Sequence, residues 1–143
     1  MPADPKKLER ILRVRTLQLG LTRAEEARAA DRVASELALK NRIAHLAAEV
    51  APTPSSKPAD ALSFAASAHY RDRLHASADA AEARVATAHQ GLASAQAATR
   101  EARRDQSAVE KLITRADHAA ALKAIRALED LPPGRAPNRH DPC

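Results

Sequence analysis

Two long stretches without helix-breaking residues constrain this chain more than any other feature. Residues 6–50 contain no Pro and one Gly, Gly20, and residues 61–130 contain no Pro and one Gly, Gly91. Pro and Gly are the residues that helix interiors tolerate least. The sequence therefore predicts two helices, 4–50 and 60–130, that are much longer than those of ordinary globular proteins.

The composition favours long helices over a compact globule. About a quarter of the 143 residues are Ala, and the aromatic residues are Phe64 and Tyr70 alone. A compact core of this size normally needs many large side chains to fill it. Ala, Leu, Arg, Glu and Lys in periodic order are instead typical of coiled coils.

The second stretch carries a sustained heptad repeat, in which spacings of four and three residues alternate. Its apolar positions are Leu74, Ala78, Ala81, Val85, Ala88, Leu92 and Ala95, then Val109, Ile113, Ala116 and Ala120. Thr99, Ala102 and Gln106 link the two parts, with Thr99 and Gln106 as weak positions. This repeat predicts one continuous helix face that packs against a partner helix.

The first stretch carries a less regular apolar stripe. Its members are Leu8, Ile11, Leu12, Val14, Leu17, Leu21 and Ala24, then Ala30, Val33 and Leu37, and finally, one step out of phase, Leu39, Ile43, Leu46 and Val50. We expect these residues to face the second helix, with Leu17 and Leu37 or their neighbours opposite Leu74, Val85 and Leu92.

The segments outside the two helices contain stop signals. Asp4 followed by Pro5 is typical of a helix start, and Asp60 can cap the second helix. Residues 51–59, APTPSSKPA, form a Pro-rich turn. Residues 131–143 are expected to be a disordered tail. The predicted fold is all-α, a long two-helix antiparallel coiled-coil hairpin over residues 1–130.

Residue patterns for chemistry are missing. No two of the six His residues are three or four residues apart, the spacing that a zinc site on a helix needs. The sequence contains no phosphate-binding Gly-rich loop and no nucleophile elbow. We expect no catalytic, metal or cofactor site, no membrane span and no signal peptide.

Positive charge concentrates in two segments. Residues 1–23 have six Lys or Arg against Asp4 and Glu9, a net charge of +4, and residues 100–126 have a net charge of +3. In an antiparallel hairpin both segments lie toward its open end, where their field attracts an acidic partner. The alternative is an ordinary solvated rod surface. The opposite end carries Phe64 and Tyr70, which either staple the tip or contact a partner.

The layout resembles the FliJ family of flagellar export proteins and the related YscO-type stalks of type III secretion. The resemblance covers residues 6–130, with local matches at residues 8–15, LERILRVR, and at residues 109–112, VEKL, followed by Arg115. It implies that the paired helix ends bind and stimulate a hexameric export ATPase, link it to a membrane export gate and handle export chaperones.

The predicted partner-binding residues are those of the open end and the tip. They are Arg10, Arg13, Arg15, Lys111, Arg115 and Arg126 for the ATPase, and Phe64 and Tyr70 for the gate protein. The expected location is cytoplasmic, either free or peripheral at the cytoplasmic face of the inner membrane. The alternatives are a scaffold that is associated with nucleic acid and a homodimeric coiled coil. Nucleic acid is not expected, because acids interrupt the basic residues and no aromatic stacking platform exists.

Overall fold

The protein consists of two α-helices in a computed structural model that describes residues 4–50, 61–132 and 134. Helix α1 runs over Pro5–Glu49 and helix α2 over Ala61–Glu129, and the described residues contain no strand. This confirms the all-α helical hairpin. The expected turn at 51–59, its cap Asp60 and nearly all of the expected tail lie outside the described residues.

Local chemistry sets the ends of the helices. The Asp4 carboxylate accepts a hydrogen bond from the backbone N–H of Lys6 at 3.1 Å, and Pro5 follows as the first helical residue. This N-cap was predicted, and it satisfies one of the donors that a helix start leaves free. At the other end of α1, the N–H of Val50 donates to the carbonyl of Leu46 at 3.3 Å. Helix α2 ends just before Pro132, which cannot continue a helix.

Three ion pairs between the helices show how the two antiparallel helices are aligned. They join Arg15 to Asp105 at 2.8 Å, Glu36 to Arg84 at 3.1 Å, and Lys40 to Glu82 at 3.0 Å. In each pair the two residue numbers add to 120 or 122, so α1 lies beside residues 71–116 of α2. Asp4 is therefore level with residue 117. Residues 117–131, which we call the overhang, extend beyond the start of α1.

The predicted repeat of α2 is the face that packs against α1. Its positions from Leu74 to Ala116 are all buried or half-buried. The most buried of them are Ala81, Val85, Thr99 and Val109. Ala120, the last predicted position of the repeat, is exposed because it lies beyond the start of α1.

The predicted stripe of α1 is wrong over much of its length. Ile11, Val14, Leu17 and Leu21 are 41–65% exposed. Ala30, Leu37, Leu39 and Leu46 are also exposed. The residues that do face α2 keep strict spacings of four and three, namely Leu8, Leu12, Arg15, Leu19, Thr22, Glu26, Ala29, Val33, Glu36, Lys40, Ile43, Ala47 and Val50.

The correction has a physical reason. A helix that packs along the whole regular repeat of α2 must keep a heptad phase itself. The other large apolar residues of α1 do not keep the phase that Leu8, Leu12, Leu19, Val33, Ile43 and Val50 keep, so polar residues occupy several of its contact positions. Arg15, Glu36 and Lys40 are tolerated there because each reaches an oppositely charged side chain of α2. As a result, α1 has a second apolar face that α2 does not cover.

Candidate partner-binding surface at the open end

The hairpin brings its two basic segments to the same end. Arg15 of α1 donates from Nη1 to Oδ2 of Asp105 on α2 at 2.8 Å. One residue further along each helix, the Gln106 side-chain amide lies 3.5 Å from the Thr16 hydroxyl. We call residues 4–23 of α1 together with residues 100–131 of α2 the open end. Its two basic stretches, 90 residues apart along the chain, form one positively charged region.

The predicted cations of this region fall into two groups. Arg10, Arg13, Lys111, Arg115 and Arg126 are exposed to solvent. Arg15 instead lies at a contact position of α1 and is occupied by the carboxylate of Asp105, with 41% of its side chain exposed. Five of the six predicted cations can therefore meet a partner directly, while Arg15 also holds the hairpin together.

The predicted cation Lys111 belongs to a cluster on α2 whose three Arg residues were not among the predicted partner-binding residues. Arg100, Arg103, Arg104 and Lys111 surround Ser107 and Ala108 in a shallow groove of about 470 Å³. None of these four cations forms an ion pair with any residue that the structure describes. The signal was present in the sequence, because residues spaced by three, four and seven share one side of a helix.

Large apolar side chains are exposed at the same end. Nine of the fifteen exposed large apolar residues of the described chain lie there, namely Ile11, Val14, Leu17, Leu21, Leu112, Leu122, Ile125, Leu128 and Leu131. On α1, Ile11 and Val14 border a second shallow groove of about 510 Å³ that also includes Lys7 and Arg10. Cations beside apolar side chains suit a partner surface that is both acidic and apolar.

The predicted tip residues are exposed as well. Phe64 is 61% exposed and Tyr70 is 47% exposed. Six residues of helix separate them by about 120° around the axis, so the two rings do not form a single patch on α2. The turn that a staple would join to α2 lies outside the described residues.

Two chemical features are absent from the part of the chain that the structure describes. It has no group of three or more His, Cys, Asp or Glu side chains placed to hold a metal ion. Neither helix has an apolar segment long enough to cross a membrane.

The fold and this surface define a class of protein, a two-helix antiparallel coiled coil with a charged, partly apolar open end. No family model, curated protein or solved structure matches the chain.

Proposed function

We propose that this protein is a non-catalytic stalk that binds a larger acidic partner with its open end. The observation that carries the proposal is the convergence of two basic segments, with net charges of +4 and +3, beside uncovered apolar side chains. Charges of this kind mainly raise the association rate and make binding sensitive to salt. The apolar side chains add binding energy when a partner removes them from water.

The specific partner that we propose is the hexameric export ATPase of a flagellar or type III secretion system. This choice rests on the resemblance to the FliJ family, which implies insertion of the paired helix ends into a ring of ATPase subunits. The overhang supports it physically, because a single helix protruding from the end of a rod is narrow, about 10–12 Å across. The same resemblance implies a link to the export gate and contact with export chaperones.

Turnover of ATP by the cognate export ATPase tests this proposal. Wild-type protein should raise turnover and hexamer content. Reversal of the exposed cations Arg13, Lys111 and Arg115 to Glu should abolish both effects while far-ultraviolet circular dichroism stays unchanged. Arg15 is left intact in this variant, because its ion pair with Asp105 supports the hairpin.

A matched control reverses three exposed cations outside the open end, Arg28, Arg42 and Arg73. This control should stimulate the ATPase like the wild type. Equal loss in both variants would mean that overall charge, rather than the open end, is responsible. Failure of the wild-type protein to bind the ATPase at all would refute the specific partner.

The tip is proposed to contact the export gate. Replacement of both Phe64 and Tyr70 by Ala should weaken gate binding, whereas the melting temperature should change little because both rings are largely exposed. A sharp fall in melting temperature would instead assign the rings to a structural staple of the turn.

A second candidate function is binding to nucleic acid, and the unpaired cluster of Arg100, Arg103, Arg104 and Lys111 favours it. Contacts to backbone phosphates release counterions, so the affinity falls steeply as salt rises. Replacing these four residues with Gln should abolish such binding. Titration of a DNA duplex at two salt concentrations decides the matter, since no binding at low salt removes this candidate.

A further inference from the structure

The overhang leaves one face of α2 without its helix partner. The four-three repeat that contacts α1 continues past Ala116 through Ala120, Lys123, Ala127 and Asp130, which are all exposed, and Ala124 and Leu131 lie beside this row. Within the described residues, α1 begins at Pro5 and does not reach the overhang, so it cannot cover this face.

The first helix has an uncovered apolar face at the same end of the rod. Val14 is 53% exposed, and Leu17 and Leu21 are each 65% exposed. Val14 and Leu17 lie on the side of α1 that faces away from α2, whereas Leu21 borders a groove that Ala98 and Ala102 of α2 also line. The two uncovered faces point in different directions, so one chain cannot bring them together.

The two faces match in length, size and charge. The overhang has 15 residues, or about 22 Å of helix, and residues 7–21 of α1 span about the same length. Large side chains on α1 meet Ala120 and Ala127 on the overhang, with Lys123 and Asp130 on the same face, and large-to-small pairing allows helices to interdigitate. Asp117, Glu129 and Asp130 outnumber Lys123 and Arg126, which gives the overhang a net charge of −1 against +4 for residues 1–23.

We propose that two copies of this chain associate end to end, with the overhang of each lying on the outer face of α1 of the other. Beside the first copy's overhang there is no α1 of the first copy. In the dimer, α1 of the second copy packs in that position. The arrangement has two-fold symmetry, uses the same two faces twice and closes at a dimer. The dimer uses the same open end as the proposed partner, so a chain in the dimer cannot bind that partner at the same time.

The size of the contact sets the expected strength. Each overhang offers a strip about 22 Å long and about 10 Å wide, so two symmetric contacts bury roughly 900 Å² in total. Interfaces of that size belong to weak, transient complexes. Both copies also bring Lys6 and Lys7 toward the junction. The dissociation constant is therefore expected to be on the order of 10 µM.

Analytical ultracentrifugation and small-angle X-ray scattering of the full chain test the dimer and its geometry. Sedimentation from about 1 µM to about 500 µM should show a monomer giving way to a dimer. Residues 61–116 of α2 account for about 84 Å of each rod, so the end-to-end dimer should be about 170 Å long. A monomer or a side-by-side dimer stays near 105 Å, the length of α2. A monomer at every concentration, or a dimer of unchanged length, overturns the proposal.

Two pairs of variants locate the contact. Ala127→Glu should abolish the dimer, whereas Ile125→Glu on the opposite side of the same overhang should leave it intact. Leu17→Glu should also abolish it, whereas Leu39→Glu should not, because Leu39 lies far along α1 from the overhang. All four side chains are exposed in the single chain, so circular dichroism should not distinguish the variants from the wild type.

The variant results are decisive in both directions. Loss of the dimer in Ala127→Glu and Leu17→Glu alone supports the proposed contact. If the two variants of either pair dimerise to the same extent, the proposed contact is overturned. A monomeric wild-type protein whose ATPase binding is lost in Leu17→Glu would assign the α1 face to the ATPase, which refutes the dimer while leaving the proposed function standing.

Discussion

Two valines of α1 give the sharpest test of how the helices are aligned. Val33 is 7% exposed and faces α2, whereas Val14 is 53% exposed on the outer side of the same helix. The apolar stripe of the sequence includes both, so the sequence alone predicts similar effects for them. The structure predicts that Val33→Asp destabilises the hairpin and that Val14→Asp does not.

The expected magnitude follows from burial. Removing the buried Val33 side chain loses about 1.5–2 kcal/mol of apolar transfer free energy. Placing a carboxylate there, one turn from Glu36, adds about 1–2 kcal/mol for an unpaired polar group. Val and Asp have similar helix propensities, so this term nearly cancels. Val33→Asp should therefore lower the free energy of unfolding by about 3 kcal/mol, and Val14→Asp should change it by less than about 0.5 kcal/mol.

Urea unfolding followed by circular dichroism measures both values, at a protein concentration of about 1 µM that keeps the chain monomeric. A Val33→Ala variant separates the two causes, because it removes apolar area without adding charge and should cost about 1.5 kcal/mol. Equal destabilisation by Val33→Asp and Val14→Asp would refute the alignment of α1 described above.

Two further predictions concern the helix interiors and the ion pair of the open end. Gly20→Ala and Gly91→Ala should each raise the free energy of unfolding by about 0.8–1 kcal/mol, because an added methyl group meets nothing within 4 Å and Gly weakens a helix. A loss of stability in urea unfolding would show that the helix bends at that Gly. A double-mutant cycle on Arg15 and Asp105 should give a coupling of about 0.5 kcal/mol that shrinks in salt, since both side chains are about 40% exposed. A coupling that salt does not change would contradict this.

The two helices differ in how far the sequence predicts them. The repeat of α2 is visible because its contact positions from Leu74 to Ala95 and from Val109 to Ala116 are all apolar, and even Thr99 and Gln106 keep the spacing. In α1 several contact positions are charged. Arg15 and Lys40 face α2 only because Asp105 and Glu82 stand opposite them, and the periodicity of a single helix does not reveal a partner on the other.

The sequence predicts only part of the candidate site, because it does not show which side chains of one helix meet the other helix. The meeting of the two basic segments follows from an antiparallel hairpin, which composition and Pro positions already indicate. The different roles of Arg13 and Arg15 do not follow, because two residues of helix turn one side chain to solvent and the other to Asp105. The sequence does not reveal that Val14, Leu17 and Leu21 are exposed, because they belong to an apolar stripe that was expected to pack against α2 along its whole length.

The polar contact positions of α1 imply that stability is not at its maximum, and Glu26 offers a direct test. Glu26 is half-buried and forms no ion pair among the described residues. It shares a shallow groove with Gln96, Thr99, Arg100 and Arg103. A Leu at this position would bury additional methylene groups against the small side chains of α2, at about 0.8 kcal/mol each.

The positive field of Arg100 and Arg103 opposes this gain, because it favours a carboxylate at position 26. Both cations are exposed to solvent, and such exposed charge interactions contribute about 0.5 kcal/mol. Burial is therefore the larger effect, and Glu26→Leu should raise the free energy of unfolding by about 1 kcal/mol. Glu25→Leu, at an exposed position of the same helix, is the matched control and should change it by less than about 0.5 kcal/mol. If Glu26→Leu instead lowers stability while Glu25→Leu does not, the carboxylate of Glu26 is held by the arginines, and charge rather than burial governs this layer of the hairpin.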